Sequence, residues 1–174
     1  MDRIMITGFS GCGKSTLARR LGDILGIEPT HMDALHWLPG WKESTPERKI
    51  RLLRPVIERP RWIIEGNYHG TLWKERIERA DTIIFLDYNR FLCLWHVINR
   101  RVQYAGKTRP DMGEGCKEKL DLEFIKWVLI DGRRKRKKML AELSELEKSK
   151  DIYIFRSMRE TEKFVKEIER KERK

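Results

Sequence analysis

Cysteine is scarce in this chain: Cys12, Cys93 and Cys116 are the whole set, far apart and with no C-x-x-C pair. An odd, scattered set of this kind excludes a disulfide framework and a thiolate zinc site. It fits a reducing compartment, so the cytoplasm is the expected location. Long apolar runs are missing too. The longest stretch, residues 91–98, contains His96 and falls well short of the ~20 residues a membrane helix needs. The N-terminus shows no basic segment followed by an apolar one, so no signal peptide is expected. No internal repeat and no low-complexity linker is visible. Acids are in deficit, 27 against 38 lysines and arginines, which leaves a formal net charge of +11. Such a chain is drawn to phosphate, on a nucleotide, a nucleic acid or a lipid surface, and charge alone does not choose among them.

What is present is a chain of 174 residues, 40% hydrophobic and 37% charged, which suits one globular domain spanning residues 1–174 with a charged surface. Apolar runs alternate with helical patterns, the mark of an α/β protein. Residues 3–7, 27–32, 61–65, 82–86 and 152–155 read as strands. Helices are expected at 15–25, from 44 or 45 with Pro46 in the first turn, and at 71–79, 120–130 and 133–146. Asn89 can cap another, with Phe91, Leu94, Trp95, Ile98 and Val102 turned inward, and Ser157-x-x-Glu160 forms a capping box before the last. Pro55 should kink or shorten its helix. Residues 31–42 read as irregular, and 105–116, rich in Gly and charge, as a mobile loop.

Gly8-Phe9-Ser10-Gly11-Cys12-Gly13-Lys14-Ser15, followed by Thr16, fits G-x-x-x-x-G-K-[ST] between the first strand and an amphipathic helix. Glycines let the backbone curl so that successive N–H groups face one concavity, and the helix N-terminus adds partial positive charge. Lys14 supplies a compact cation for the β- and γ-phosphates, and the Ser15 hydroxyl is a magnesium ligand. The pattern implies a nucleoside triphosphate, ATP, with Mg2+. Cys12 sits at the helix N-terminus, a place that can lower a thiol's pKa, though a small residue filling a turn is the simpler reading.

A phosphate loop needs an acid near the metal, commonly at the end of an adjacent strand. Glu65 and Asp87 both follow apolar strands at the edge where open α/β sheets bind ligands; Glu65 is the preferred metal partner and Asp87 the alternative. Asp33 follows the second strand on the same edge and suits a base for an acceptor hydroxyl, gathered with His36 and Trp37. Trp37 and Trp41 can stack on a base or sugar, although indoles more often pack. Arg100, Arg101, Arg109, Arg133, Arg134 and Arg136 bracket the Gly-rich loop. A permanently charged guanidinium suits a phosphoryl group in flight, and a loop with arginines at its hinges suits a lid. Arg100, Arg109 and Arg133 are therefore taken as catalytic beside Lys14 and Asp33. The basic run 132–138 cannot aim every charge one way, so one or two members reach the site.

These residues resemble the P-loop kinase-like DNA topology-modulation proteins, relatives of adenylate and shikimate kinases. The resemblance covers almost the whole chain. It rests on Gly8 to Thr16, Asp33-x-x-x-Trp37-x-x-Gly40-Trp41, Trp62-Ile63-Ile64-Glu65-Gly66-Asn67-Tyr68, Ala80-Asp81-Thr82 and the arginines near Arg100 and Arg109. It implies an adenylate-kinase-like three-layer fold, a five-stranded parallel sheet in the order 2-3-1-4-5, an acceptor-binding insert at about 31–60 and a short lid at about 100–119. Adenylate kinases usually carry an acid and a glycine after strand three, typically Asp, where this chain has Glu65-Gly66. The next residues, Asn67-Tyr68-His69, replace a phenylalanine-proline-arginine run and remove an arginine expected on the acceptor nucleotide, which argues against AMP.

The expected function is transfer of the γ-phosphoryl group of a nucleoside triphosphate to a small, nucleotide- or nucleoside-like acceptor, by a monomer or homodimer without a membrane. The alternative is a nucleic-acid-associated ATPase or regulator using the +11 charge. It is not favoured, because the basic residues are spread among acids and no recognition motif is visible.

Overall fold

β1 (Arg3–Gly8) is the axis of the molecule, with neighbours on both sides and almost every residue buried. The computed structural model describes residues 1–109, 111–113, 115–117, 120–134 and 136–173. Pro110, Glu114, Glu118 and Lys119 of the expected lid, and Lys135 of the basic run, lie outside them. β1 pairs in parallel with β5 (Trp62–Glu65) and β6 (Thr82–Leu86). β2 (Pro29–His31) joins β5, and β7 (Asp151–Phe155) joins β6, also in parallel. The sheet order is β2-β5-β1-β6-β7, which is 2-3-1-4-5 when only the five sheet strands are counted.

Alternation along the strands splits the core into two layers. Ile4, Ile6, Ile63, Ile84 and Leu86 face α1 (Lys14–Leu25), α5 (Arg90–Gln103), α6 (Leu122–Leu129) and α8 (Met158–Glu172). Met5, Ile64, Ile83 and Phe85 face α3 (Pro46–Ile57), α4 (Trp73–Arg79) and α7 (Arg136–Leu146). Helix ends follow local chemistry. Thr45 caps α3 by accepting from the Arg48 N–H, Asn89 caps α5, and Gly26 ends α1 in a left-handed conformation. Pro55 lies inside α3, which ends two residues later. No helix among the described residues is long and apolar enough to cross a membrane.

Four expectations need correction. Residues 31–42 are ordered: α2 (Met32–His36) leads into a hairpin of β3 (Trp37–Leu38) and β4 (Lys42–Glu43). Its turn holds Trp41 at φ 63, left-handed backbone that costs a non-glycine residue about 1 kcal/mol. The Trp41 indole N–H compensates by donating to the Lys117 carbonyl at 2.9 Å. Second, the described residues of 105–116 are not all on the surface, since Arg109, Asp111, Met112 and Cys116 are buried. Third, Arg133 belongs to a single 3-10 turn, Asp131–Arg133, because α7 starts only at Arg136. Fourth, most of the apolar stripe of α5 points outward: Phe91 is 69% exposed, Trp95 59% and Val102 73%, while Leu94 stays partly buried against the core. The buried side carries Cys93 and Val97, because that side meets the phosphate loop. A Cβ on Gly11 would stand 2.4 Å from the Cys93 carbonyl oxygen and 2.8 Å from a Val97 methyl, and no bulky side chain fits so close an approach.

Candidate active site

The phosphate loop leaves β1 at Gly8 and enters α1 at Lys14, with Gly11 and Gly13 at positive φ as the turn requires. The other elements hold it from several sides. The side-chain oxygen of Asn67 accepts from the Thr7 hydroxyl at 2.6 Å and the Gly8 N–H at 3.2 Å, while its amide donates to the Gly8 carbonyl at 2.9 Å. His96 of α5 meets the Gly11 carbonyl through Nδ1 at 2.8 Å. The Trp127 indole N–H donates to the Ser10 hydroxyl at 3.2 Å. Arg133 lies 4.1 Å over the Phe9 ring and donates to the Tyr88 carbonyl at 2.7 Å. Thr16 is exposed at the start of α1.

Lys14 donates to the Phe9 carbonyl at 3.1 Å. Burial works against its charge, but Cys12, Glu65 and Asp33 favour it and the net direction is upward. Arg100 pulls the other way, so its guanidinium stands within electrostatic reach of the same point; it also lies 5.9 Å over the Phe124 ring. Cys12 departs from the reactive-thiol reading. It is buried, and burial pushes its pKa up to about 11, outweighing the helix N-terminus and Lys14.

The two candidate acids separate. Glu65, 2% exposed, accepts the Ser15 hydroxyl at 3.0 Å and meets His31 Nδ1 at 2.9 Å through the same oxygen. Asp87 is also buried but is engaged by Arg136, which donates through Nε at 2.7 Å and Nη2 at 2.5 Å. A serine hydroxyl beside a buried carboxylate is a hard oxygen donor set and fits Mg2+; Asp87 has no contact with Ser15 among those present in the described residues.

Asp33 accepts the Tyr68 hydroxyl at 2.6 Å. Burial, then the Asp33 carboxylate, pushes the Tyr68 pKa far up, so the phenol keeps its proton. Tyr68 also packs against His36, His36 against Trp37, and Trp37 edge-on against Trp41. Burial, reinforced by the Lys49 ammonium 3.1 Å from Nδ1, lowers the His36 pKa. Arg109 donates to Asp111 at 2.7 Å, and Arg19 of α1 stands 3.5 Å from the other Asp111 oxygen. Burial opposes the Asp111 charge, yet Arg109, the Ser15 hydroxyl and Arg19 hold its carboxyl below the usual range.

The sequence reading missed Arg76. It is completely buried and donates to the carbonyls of Gly66, Asn67 and Tyr68 at 3.0, 3.2 and 2.9 Å, fixing the segment that carries both Asn67 and Tyr68. Burial pulls its pKa down to about 10, so it is still charged at neutral pH.

No protein-family model matches the chain, and no curated protein does. Shikimate kinase from Acinetobacter baumannii, solved in complex with shikimate, superposes over 97% of this chain and 90% of its own with a TM-score of 0.61, at 17% sequence identity. The fold is that of shikimate kinase. A gluconokinase from Sinorhizobium meliloti 1021 is similar over 98% of this chain and 89% of its own, with 16% identity and a TM-score of 0.49. Within this fold, Gly8, Glu65 and Asp33 fall at or just beyond the C-terminal ends of β1, β5 and β2, the edge where open α/β sheets bind ligands.

Proposed function

We propose that this chain is a kinase that transfers the γ-phosphoryl group of ATP to a hydroxyl of a small acceptor. The observation that carries the reading is the Ser15 hydroxyl on the buried Glu65 carboxylate, one residue from Lys14 at the mouth of the glycine loop. An ordinary strand-to-helix turn has no need of that pair. Gly8, Ser10, Gly11, Cys12, Gly13, Lys14, Ser15 and Thr16 form the phosphate cradle, with N–H groups and the Lys14 ammonium toward the β- and γ-phosphates. Ser15 and Glu65 would hold Mg2+, and the ion supplies neutralisation of phosphate charge. Asp33 takes the proton of the acceptor hydroxyl. That oxygen bonds to the γ-phosphorus as the bond from phosphorus to the β-phosphate oxygen breaks, and ADP leaves. Tyr68 occupies one Asp33 oxygen and so turns the carboxylate. Residues 31–60 act as the acceptor insert, with Trp37 and Trp41 on its aromatic side and Tyr68, from the segment after β5, packed against its His36. Residues 100–119 act as the lid that brings Arg100 and Arg109 to the transferring group, while Arg133 braces the loop through Phe9.

The kinase of the same fold was solved with shikimate, and that likeness supports a small acceptor here. A second reading, a nucleic-acid-associated ATPase or regulator, draws on one feature. A cleft of about 430 Å³ beside the end of β6 is lined by Arg90, Arg133, Arg134, Arg136 and Lys137. Among the described residues that line it, the one acid is Asp87, already paired with Arg136.

The test is phosphate transfer from labelled ATP to a panel of nucleosides, nucleotides, sugars and hydroxy acids, run beside DNA-stimulated hydrolysis. Transfer to one acceptor, abolished by Asp33→Asn with ATP binding retained, is expected. Absence of transfer together with DNA-stimulated hydrolysis that survives Asp33→Asn would replace the kinase with the second reading.

A further inference from the structure

The outer face of α5 takes no part in the site, yet it holds a row of apolar side chains in solvent. Phe91, Trp95, Ile98 and Val102 are 69, 59, 44 and 73% exposed. Their intervals of four, three and four are those of a two-helix seam, narrower than the face a helix lays on its own core. The arginines of the helix fall off this line: Arg90 lines the cleft at the end of β6, and Arg100 is turned to the Phe124 ring. No acid occurs in the helix. A seam with no charge at its centre suits an apolar partner of the same shape.

We propose that this face docks a second copy of the chain, with the two α5 helices antiparallel about a twofold axis between Trp95 and Ile98. A twofold contact must be self-complementary. In the antiparallel pair Phe91 meets the partner's Val102, and Trp95 meets the partner's Ile98. Each ring thus faces a smaller aliphatic side chain, the alternation that lets two layers interdigitate. Arg90 lies opposite the partner's Gln103, and Arg101 opposite the partner's Leu92. A parallel pair would set ring on ring and arginine on arginine, which is unfavourable between chains that each carry +11. The area is sufficient. A whole aromatic side chain presents about 150–250 Å², so Phe91 and Trp95 leave roughly 200–300 Å² in water. The twofold doubles this, and Ile98 and Val102 add to it. With a polar rim the contact reaches roughly 1,000 Å², where specific interfaces begin. The inner side of the same helix meets the Gly11 carbonyl through His96 at 2.8 Å, so a copy seated outside also steadies the element that covers the phosphate loop.

The interface goes beyond the kinase reading, and its test needs no substrate. Sedimentation of the full-length protein from about 1 to 100 µM should show a dimer with a micromolar Kd. The dimer should tighten as salt rises, because screening removes the repulsion between basic chains and leaves the apolar contact. Trp95→Glu should stay folded by circular dichroism, since the ring already stands in water, and should weaken the dimer about a hundredfold or more. Phe91→Glu and Val102→Lys should each weaken it about tenfold. The double variant Phe91→Glu/Val102→Lys should recover most of that loss, because the two new charges face each other only in the antiparallel pair. A monomer throughout the range, a dimer that survives Trp95→Glu, an unfolded Trp95→Glu, or a double variant no better than the single ones overturns the proposal. So does a monomer that sediments with phosphatidylglycerol vesicles and leaves them as salt rises, which would assign the face to a lipid surface instead.

Discussion

Replacing Arg76 with methionine isolates the support beneath the active site. The side chain is fully buried, it donates to three consecutive carbonyls, and its guanidinium lies 5.0 Å over the Trp73 ring. Methionine keeps an unbranched apolar stem but not the volume of the guanidinium, and it has no donor. Hydrogen bonds to a charged donor contribute about 1.5–3 kcal/mol each, so three of them represent roughly 4–9 kcal/mol. Against this stands the desolvation of the guanidinium. Its pKa falls from 12.5 to about 10, which corresponds to roughly 3 kcal/mol of hydration lost and recovered when the charge is removed. The net expectation is a loss of about 1–6 kcal/mol, read from urea midpoints by a two-state fit at constant m. Arg76→Lys should recover little of it, because one ammonium cannot span the same three carbonyls in the plane of a guanidinium. Activity should fall beyond what the folded fraction explains, since the released segment carries Asn67 against the phosphate loop and Tyr68 against Asp33. A methionine variant within about 0.5 kcal/mol of wild type would show that desolvation cancels the three bonds, and the bracing argument would fail.

Three other outcomes follow from the same geometry. Lys14→Ala should fold normally and lose about a hundredfold or more in turnover, the usual scale for one preorganised charge; unchanged ATP binding and turnover would contradict the phosphate-loop assignment. Glu65→Gln should raise the Mg2+ requirement for turnover more than Asp87→Asn, whose main effect should be on stability because Arg136 loses its partner; the reverse ranking moves the metal role to Asp87. His36 has a lowered pKa, so the unfolded chain takes up a proton first, near its ordinary ~6.5. Native stability contributed by the neutral ring is present above that value and is lost as pH falls toward the folded-state pKa. Urea midpoints at pH 7.5 and 5.5 should therefore differ less in His36→Gln than in wild type, and equal differences would refute the assignment.

The parts legible in the sequence were those written locally. The glycine loop, the strands on either side of β1 and the caps Thr45, Asn89 and Ser157 each depend on neighbours within a few residues. Glu65 was legible because strand-end acids are few. Arg76 was not, because nothing local distinguishes one arginine on a short helix from the other basic residues; its importance arises from three carbonyls eight to ten residues upstream. Asp111 was hidden for the same reason. It reads as one acid in a charged, Gly-rich loop until the fold brings Arg19, 92 positions earlier, alongside. The hairpin after α2 escaped because its strands are two residues each, too short for any period-two signal.

The orientation of α5 shows where hydrophobic patterning gives way to a stronger constraint. Phe91, Trp95, Ile98 and Val102 recur at intervals of four, three and four, the spacing of one helical face, and burial of that face is the simplest expectation. Turning it inward would bury more apolar area, at about 25 cal/mol per Å². The phosphate loop forbids it. Gly11 must stay bare to curl, and the helix above it must come within van der Waals contact of its backbone, so the facing side chains are the small Cys93 and Val97, with His96 meeting the Gly11 carbonyl. Arg100 lies one turn beyond His96 on the same side of the helix, which brings its charge within reach of Lys14. One rotation of the helix thus serves the loop at the expense of the apolar face. The burial forgone on Phe91, Trp95 and Val102 measures how strongly a formed phosphate site can override the hydrophobic pattern of the helix that covers it.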